Sequence, residues 1–259
     1  MASTIAHAAS KLREPLPAQV LHFLTLRRAI GFIGIALPFV LVAGENLRDA
    51  LALHATPARR ELIELSISAY FHTGMRDVFV GSLFAVGIFL ICYNGYQRID
   101  NLLANLAGFA ALLVALFPTW EASREATDTG IPAPDSVTLF SGPNAPDPTL
   151  VGYIHFGAAT MFFVILAVMS IFLFTKSEPH PTPEKKQRNR VYVACGVIIV
   201  LCLVLIAAGK LFLGDDVERA TSFVFWGEAV AIVAFGVSWL VKGEAILKDA
   251  LPQRAPQPA

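Results

Sequence analysis

The chain has 259 residues, of which 55% are hydrophobic and only 15% are charged, and its mean hydropathy is +0.60. In soluble domains about a quarter of all residues are charged, so this composition excludes an ordinary soluble domain and favours a membrane protein. The 20 basic and 20 acidic residues cancel, so no overall field favours nucleic acid as a partner. The three cysteines lack metal-type spacing and give no sign of a zinc knuckle or a disulfide framework.

Residues 1–28 are mixed and mildly basic, and we predict a cytoplasmic amino-terminal segment there. The first membrane span is predicted from about Ala29 to Gly44. Thr56 and Pro57 are residue types that begin helices, as N-cap and first helical residue. An interfacial helix is therefore predicted over residues 57–66.

Five later apolar runs predict five more spans: Val78–Tyr93, Leu102–Phe117, Leu150–Phe174, Tyr192–Leu213 and Ser222–Val241. Residues 121–149 are rich in proline and have no periodicity, which predicts a long external loop. The fold class is thus all-α, a bundle of six transmembrane helices over residues 29–243, with a cytoplasmic tail at 244–259.

The distribution of basic residues predicts the orientation. If the amino terminus is inside, thirteen of the 20 Lys and Arg residues fall in cytoplasmic segments. The positive-inside rule then favours both termini in the cytoplasm. The predicted location is a bacterial-type inner membrane or a plasma membrane.

Polar residues at one predicted leaflet form the candidate site. Ionisable groups are costly in hydrocarbon, so they should face the bundle interior and pair. We expect Glu228 to pair with Lys210 or His155, and Asp77 with Arg76, His72 or His155. Such a group forms either a structural ion-pair network or an outward-facing binding cavity, and its candidate residues are Ser68, Tyr70, His72, Arg76, Asp77, His155, Lys210 and Glu228.

A metal site is a further interpretation of the same residues. Ser68 and His72 are four residues apart, which places them on one face of a helix, where a hydroxyl could orient a metal-bound imidazole. A zinc ion would take its ligands from His72, His155, Asp77 and Glu228, although no motif marks them. We expect no cofactor, and zinc is the one alternative to that expectation.

Small and amide residues recur at helical spacing in the second and third spans. They predict close packing of these two helices, with Asn105 bonding across the contact. The residues are Asp77, Gly81 and Ala85 in one span and Asn101, Asn105 and Gly108 in the other.

Several short motifs resemble uncharacterised six-helix membrane proteins allied to the Frag/DRAM/Sfk group. They are Ser66-Ile67-Ser68, the turn Arg98-Ile99-Asp100-Asn101, the closing Leu116-Phe117-Pro118-Thr119, and His155 near the start of the fourth span. The resemblance implies a six-helix bundle without an established enzymatic chemistry, linked in some members to lipid handling or membrane homeostasis.

A weaker resemblance is to the alkaline ceramidase and adiponectin-receptor superfamily of membrane hydrolases, through the spacing of Ser68 and His72. That superfamily has seven spans and a late His-x-x-x-His pair, and this chain has no histidine after His180.

The leading hypothesis is a membrane protein that binds a lipid or a small amphiphile in an outward-facing polar cavity. One alternative is a metal-dependent membrane lipid hydrolase. Another is a structural subunit of a membrane complex, contacting a membrane-protein partner or a second copy of the chain through the external loop.

Overall fold

The computed structural model describes residues 18–51, 62–95, 97–119, 148–176 and 181–247. These residues are predominantly helical and contain no strand, which confirms the all-α prediction for the described part of the chain. The α-helices are α1 (Ala18–Ala50), α2 (Arg76–Ile91), α3 (Arg98–Leu116), α4 (Pro148–Val168), α5 (Pro183–Phe212), α6 (Gly214–Thr221) and α7 (Phe223–Lys242). A 3₁₀ helix covers Ser68–His72, and a π-helical turn at Met169–Leu173 continues α4.

Five of these helices are long and apolar enough to cross a membrane, by length and composition: α1, α3, α4 with its π-helical turn, α5 and α7. They are the helices of a multi-pass membrane protein. Helix α2 has 16 residues, which makes it about 24 Å long at ~1.5 Å per residue, against ~30 Å of hydrocarbon in a typical bilayer.

Six helices pack side by side in a ring. Helix α1 contacts α2, and the ring continues through α3, α4, α5 and α7 back to α1, while α6 contacts α5. Glycines allow two of these contacts to be close, because small residues let backbones approach. A Cβ added at Gly31 would lie 2.8 Å from the Gly236 carbonyl oxygen, and one at Gly87 would lie 3.0 Å from that of Gly108.

Two clusters of buried side chains fill the ring, one towards each end. Trp239 and Phe174 belong to the first cluster, and Tyr70, Phe79 and Phe225 belong to the second. We call the end beside the first cluster the basic end, since it carries Arg27, Lys176, Lys185, Arg188 and Lys242. The opposite end of the bundle carries the segment Leu62–Met75. We call this segment the connector, and we call that end of the bundle the connector end.

The π-helical turn lies where α4 meets α5 at the basic end. Its defining bond runs from the Phe174 amide to the Met169 carbonyl, five residues back, at 2.9 Å. The Ser170 hydroxyl donates to the Tyr192 carbonyl at 3.1 Å. The sequence predicted one uninterrupted span here, because apolar periodicity does not distinguish one turn of π-helix from α-helix.

The observed bounds differ from the predicted ones in several places. Helix α1 already begins at Ala18, so part of the predicted segment 1–28 is helical. Within the predicted interfacial helix 57–66, residues 62–66 form bends and irregular backbone rather than helix, and the rest lies outside the described residues. Of the predicted external loop 121–149, residues 148 and 149 belong to α4, and the rest also lies outside the described residues. Helix α6 was not predicted.

The predicted contact between the second and third spans exists, but two of the residues predicted for it on α2, Asp77 and Gly81, are exposed instead. Gly108 packs against α2 as expected, and its partner there is Gly87. A Cβ added at Gly81 would meet no described atom within 4 Å. Gly81 and Gly87 are six residues apart and therefore face different sides of the helix.

Candidate functional site

The connector is buried although it is not α-helical. Glu64 and the six residues 66–71 are buried. The 3₁₀ helix forms through bonds such as that from the Thr73 amide to the Tyr70 carbonyl, at 3.2 Å. The Ser66 hydroxyl accepts the Ala69 amide at 3.0 Å. Ser66 thus supplies a bond that this short helix cannot make within itself.

The connector is fixed to the first two turns of α7. The Phe225 amide donates to the Leu65 carbonyl at 2.9 Å. The Glu228 carboxylate accepts the Ile67 amide at 2.6 Å. Buried backbone that is not part of an α-helix requires polar partners from elsewhere in the protein, because water does not reach it. Glu228 therefore has a clear structural use, in holding the connector against the helix.

Two histidines bond to the carboxyl end of α3. His72 Nε2 lies 3.1 Å from the Thr119 carbonyl oxygen, and His155 Nδ1 lies 2.6 Å from that of Phe117. A carbonyl only accepts, so each of these ring nitrogens carries a proton. Burial lowers the pKa of His72 below its usual 6.5, the Thr119 carbonyl opposes that shift, and the positive charge of Arg76 adds to it.

Arg76 and Asp77 do not join the histidines. The Arg76 guanidinium lies 4.5 Å from the centre of the Phe71 ring, as in a cation–π contact. Asp77 is exposed at the start of α2 and makes no ion pair with another described residue. The predicted pairing of Asp77 with Arg76, His72 or His155 is therefore not observed in the described part of the chain.

Lys210 pairs with a residue that the sequence did not single out. Its ammonium lies 2.5 Å from the carboxylate of Glu218, which is buried on α6. The predicted pairing of Glu228 with Lys210 or His155 follows from matching charges alone, and it leaves out Glu218, which lies after the end of the fifth predicted span at Leu213. The sequence feature that indicates a further ion-pair partner is the strongly polar stretch after Gly214.

The helical face expected for Ser68 and His72 is also wrong. A 3₁₀ helix has three residues per turn, so residues four apart do not lie above one another. Tyr70 packs instead on Phe225, with ring centres 6.3 Å apart. Ser68, Tyr70 and Phe71 are buried together in the packing of the connector.

The four predicted metal ligands do not form one group. His72 and His155 bond to separate carbonyls, Glu228 bonds to an amide, and Asp77 is exposed. No group of three or more His, Cys, Asp or Glu residues that could hold a metal ion is found among the described residues. The geometry gives the zinc interpretation no support, and the hydrolase hypothesis stays a prediction.

The line along which α4 and α5 face each other, which we call the seam, is closely packed at the basic end and exposed towards the connector end. At the basic end it is closed, and a Cβ added at Gly196 would lie 3.1 Å from the carbonyl oxygen of Ala167. Thr160 lies two turns before Ala167 on the same side of α4, yet it is exposed while Ala167 is buried. Gly157 is exposed too, and a Cβ there would meet no described atom within 4 Å.

Helix α5 shows the same change. Gly196 is buried, whereas Ala207, three turns later on the same side, is exposed. Near Ala207, helix α5 packs against α7 instead. A Cβ added at Gly227 on α7 would lie 2.7 Å from the Ile206 side chain on α5. The two faces that meet at the basic end are therefore uncovered towards the connector end. We call this part, marked by the exposed residues Gly157, Thr160 and Ala207, the open seam.

Comparisons with known proteins give no match to the chain among the family models, the curated proteins or the solved structures.

Proposed function

We propose that the protein is a six-span membrane protein that binds a lipid or a small amphiphile in the open seam. One observation carries this proposal. On one side of α4, Ala167 is buried, whereas Thr160, two turns earlier, is exposed. A bundle that served only to pack its helices would gain dispersion energy by closing this seam along its whole length. An apolar chain entering from the bilayer would restore those contacts.

Residues at the mouth of the open seam suit the polar part of such a ligand. Lys210 lies one turn beyond Ala207 and, through its pair with Glu218, forms a polar feature next to an apolar opening. Tyr153 on α4 is 64% exposed, and tyrosine is favoured where an apolar surface meets polar headgroups. Of the residues predicted for binding, Lys210 thus keeps its role, whereas the fold uses Ser68, Tyr70, His155 and Glu228 for packing and internal bonds.

Six spans are part of the proposal, with α2 as the sixth. The support is its position in the ring between α1 and α3, and the exposure of apolar residues such as Val78 and Ile88 on its outer side. Its short length is compatible with local thinning of the bilayer. By the positive-inside rule the basic end is cytoplasmic, so the open seam belongs to the outer leaflet of an inner or plasma membrane.

Photocrosslinking tests the open seam. A photoreactive amino acid is placed at position 160, in the seam, and in a matched variant at position 205. Leu205 is 67% exposed on α5, but it lies two residues before Ala207 and so faces a different side of that helix. In membranes that contain a photo-silent competitor lipid and a clickable reporter lipid, labelling at 160 should saturate and be competed. Labelling at 205 should rise in proportion to the reporter.

Equal and non-saturating labelling at both positions would refute binding in the seam. The orientation is checked separately with Cys variants of two exposed residues in a Cys92→Ser background. An impermeant thiol reagent added to intact cells should label Asp77→Cys and leave Arg98→Cys unlabelled until the membrane is opened. The reverse pattern contradicts the proposed topology without bearing on whether the seam binds a ligand.

A further inference from the structure

A groove runs along α5 at the basic end of the bundle and has a volume of about 730 Å³. Thr175, two residues after the π-helical turn, lines it on one side. The lining residues of α5 recur at helical spacing, so they share one face of that helix. They include Lys186, Asn189, Arg190, Val193 and Val197. All of these except Asn189 are exposed, and the groove therefore opens on the outer surface of the bundle.

Hydrogen bonds within the protein fix the walls of this groove. The side-chain Nδ2 of Asn189 donates to the Thr175 carbonyl at 3.0 Å, and the Thr175 hydroxyl donates to the Ile171 carbonyl at 2.6 Å. Gly196 of α5 is buried next to Ile171, where a Cβ would collide with the isoleucine side chain. A site whose walls are already fixed binds its ligand at a lower entropic cost.

The groove changes from polar to apolar along its length. Lys186 and Arg190 line the part nearer the start of α5, and Val193 and Val197 line the part that follows. No charged residue comes after Arg190 until Lys210. In a membrane-spanning helix the last charge before such a run lies at the membrane surface, and the run itself lies in hydrocarbon. A phospholipid has the same order of parts, with a charged headgroup at the surface and apolar chains below it.

The two cations of the groove are accessible to a ligand. Both are exposed, and neither side chain makes a hydrogen bond or an ion pair with another residue in the described part of the chain. Glu184, in the first turn of α5, lies two residues before Lys186 and so faces another side of the helix. Residues four apart on a helix have Cβ atoms about 5–6 Å apart. One phosphate group can therefore bond to both Lys186 and Arg190.

We propose that this groove binds one anionic phospholipid, with its phosphate between Lys186 and Arg190 and an acyl chain along Val193 and Val197. Arginine suits the paired oxygens of phosphate, and lysine adds a point charge. The volume of the groove falls within the range of about 300–1,000 Å³ that is usual for ligand pockets. The groove lies at the opposite end of the bundle from the open seam, so this site does not depend on a ligand there.

The test uses the full chain in nanodiscs of phosphatidylcholine alone and of a phosphatidylcholine–phosphatidylglycerol mixture. Native mass spectrometry counts the retained lipids. Thermal unfolding is compared between the two membranes for each variant separately, so a general loss of stability in a variant cancels. Arg190→Gln tests the headgroup contact, and its matched control is Arg98→Gln, the same change at another exposed arginine of the basic end.

The wild type should retain phosphatidylglycerol in preference to phosphatidylcholine and should be stabilised by it. Arg190→Gln should lower the apparent affinity for phosphatidylglycerol roughly fivefold, and Lys186→Gln combined with Arg190→Gln should lower it about 25-fold. Arg98→Gln should lower it by less than about twofold, because salt screens an exposed charge outside the groove. Equal losses in Arg190→Gln and Arg98→Gln would overturn the proposal.

A second pair of variants tests the acyl chain. Val193 on α5 and Val230 on α7 are 42% and 47% exposed. Val193→Trp should weaken the retention of phosphatidylglycerol, because the indole fills the apolar part of the groove, whereas Val230→Trp should leave it unchanged. Equal retention in these two variants would contradict a chain in the groove. If inorganic phosphate stabilised the wild type in phosphatidylcholine nanodiscs as much as phosphatidylglycerol does in the mixture, the ligand would be a free anion, and the proposed lipid would be wrong.

Discussion

The two ends of the bundle hold their polar residues in different ways. At the connector end Glu228, His72 and His155 bond to backbone amides or carbonyls, so their hydrogen-bonding capacity serves the fold. At the basic end Lys242 and Arg27 lie over aromatic rings, with the ammonium 5.2 Å and the guanidinium 5.4 Å from the ring centres. A buried polar residue in a membrane protein is therefore a weak sign of a site by itself.

The largest expected effect concerns the buried aromatic side chains of the basic end. Trp239 is 1% exposed and its ring contacts those of Tyr93 and Phe174. Trp239→Ala should lower the free energy of unfolding by about 3–5 kcal/mol, since it leaves a cavity among these rings. Unfolding in mixed micelles, followed by circular dichroism, measures the change.

Trp226 provides a control on the same helix. It is 53% exposed at the connector end, and Trp226→Ala should change the free energy of unfolding by no more than ~0.5 kcal/mol. Similar losses in the two variants would mean that the buried packing of Trp239 stabilises the protein no more than an exposed tryptophan does.

The sequence predicted the helices of the membrane domain well because each is an apolar run, and runs such as Ser222–Val241 differ from the observed Phe223–Lys242 by one residue at each end. It failed where polar residues decide the structure. Helix α6 contains Asp215, Asp216, Glu218 and Arg219 and has no apolar run.

The candidate site was predicted less well, for two physical reasons. Charge matching assumed that carboxylates pair with cations, but Glu228 bonds to the Ile67 amide, and the sequence carries no sign of a backbone partner. The periodicity of an α-helix was assumed for Ser68 and His72, which lie in a 3₁₀ helix. The basic connection after the fourth span was visible in the sequence, but its convergence with Arg27 and Lys242 depends on the order of the helices in the ring.

A smaller effect is expected at the connector end, where one carboxylate holds the connector. Glu228→Leu leaves the Ile67 amide without the acceptor that it has at 2.6 Å. The free energy of unfolding should fall by about 1–3 kcal/mol, the cost of an unsatisfied buried amide. Glu228→Gln keeps a carbonyl oxygen at this position, so its loss should be roughly 1 kcal/mol or less.

Asp77→Asn is the control, because this carboxylate is exposed at the same end, and it should stay within ~0.5 kcal/mol of the wild type. If Glu228→Gln were as harmful as Glu228→Leu, the negative charge itself would be required. The connector end would then resemble the basic end, and the contrast between them would fail.

The smallest expected effect is a pH dependence at the connector end. Burial lowers the pKa of His72 below 6.5 in the folded protein, so below pH 6.5 the unfolded chain binds more protons than the folded one. The stability that comes from a neutral His72 is therefore complete above that pH and is lost as the pH falls through and below 6.5. His72→Gln keeps a side-chain N–H that can donate to the Thr119 carbonyl, but it does not titrate. Between about pH 7.5 and about pH 5.5 the wild type should lose more thermal stability than this variant, and His155, present in both, cancels from the comparison. Parallel losses in the two proteins would mean that His72 takes up its proton without cost, and hence that the connector end does not hold its ring in the neutral form.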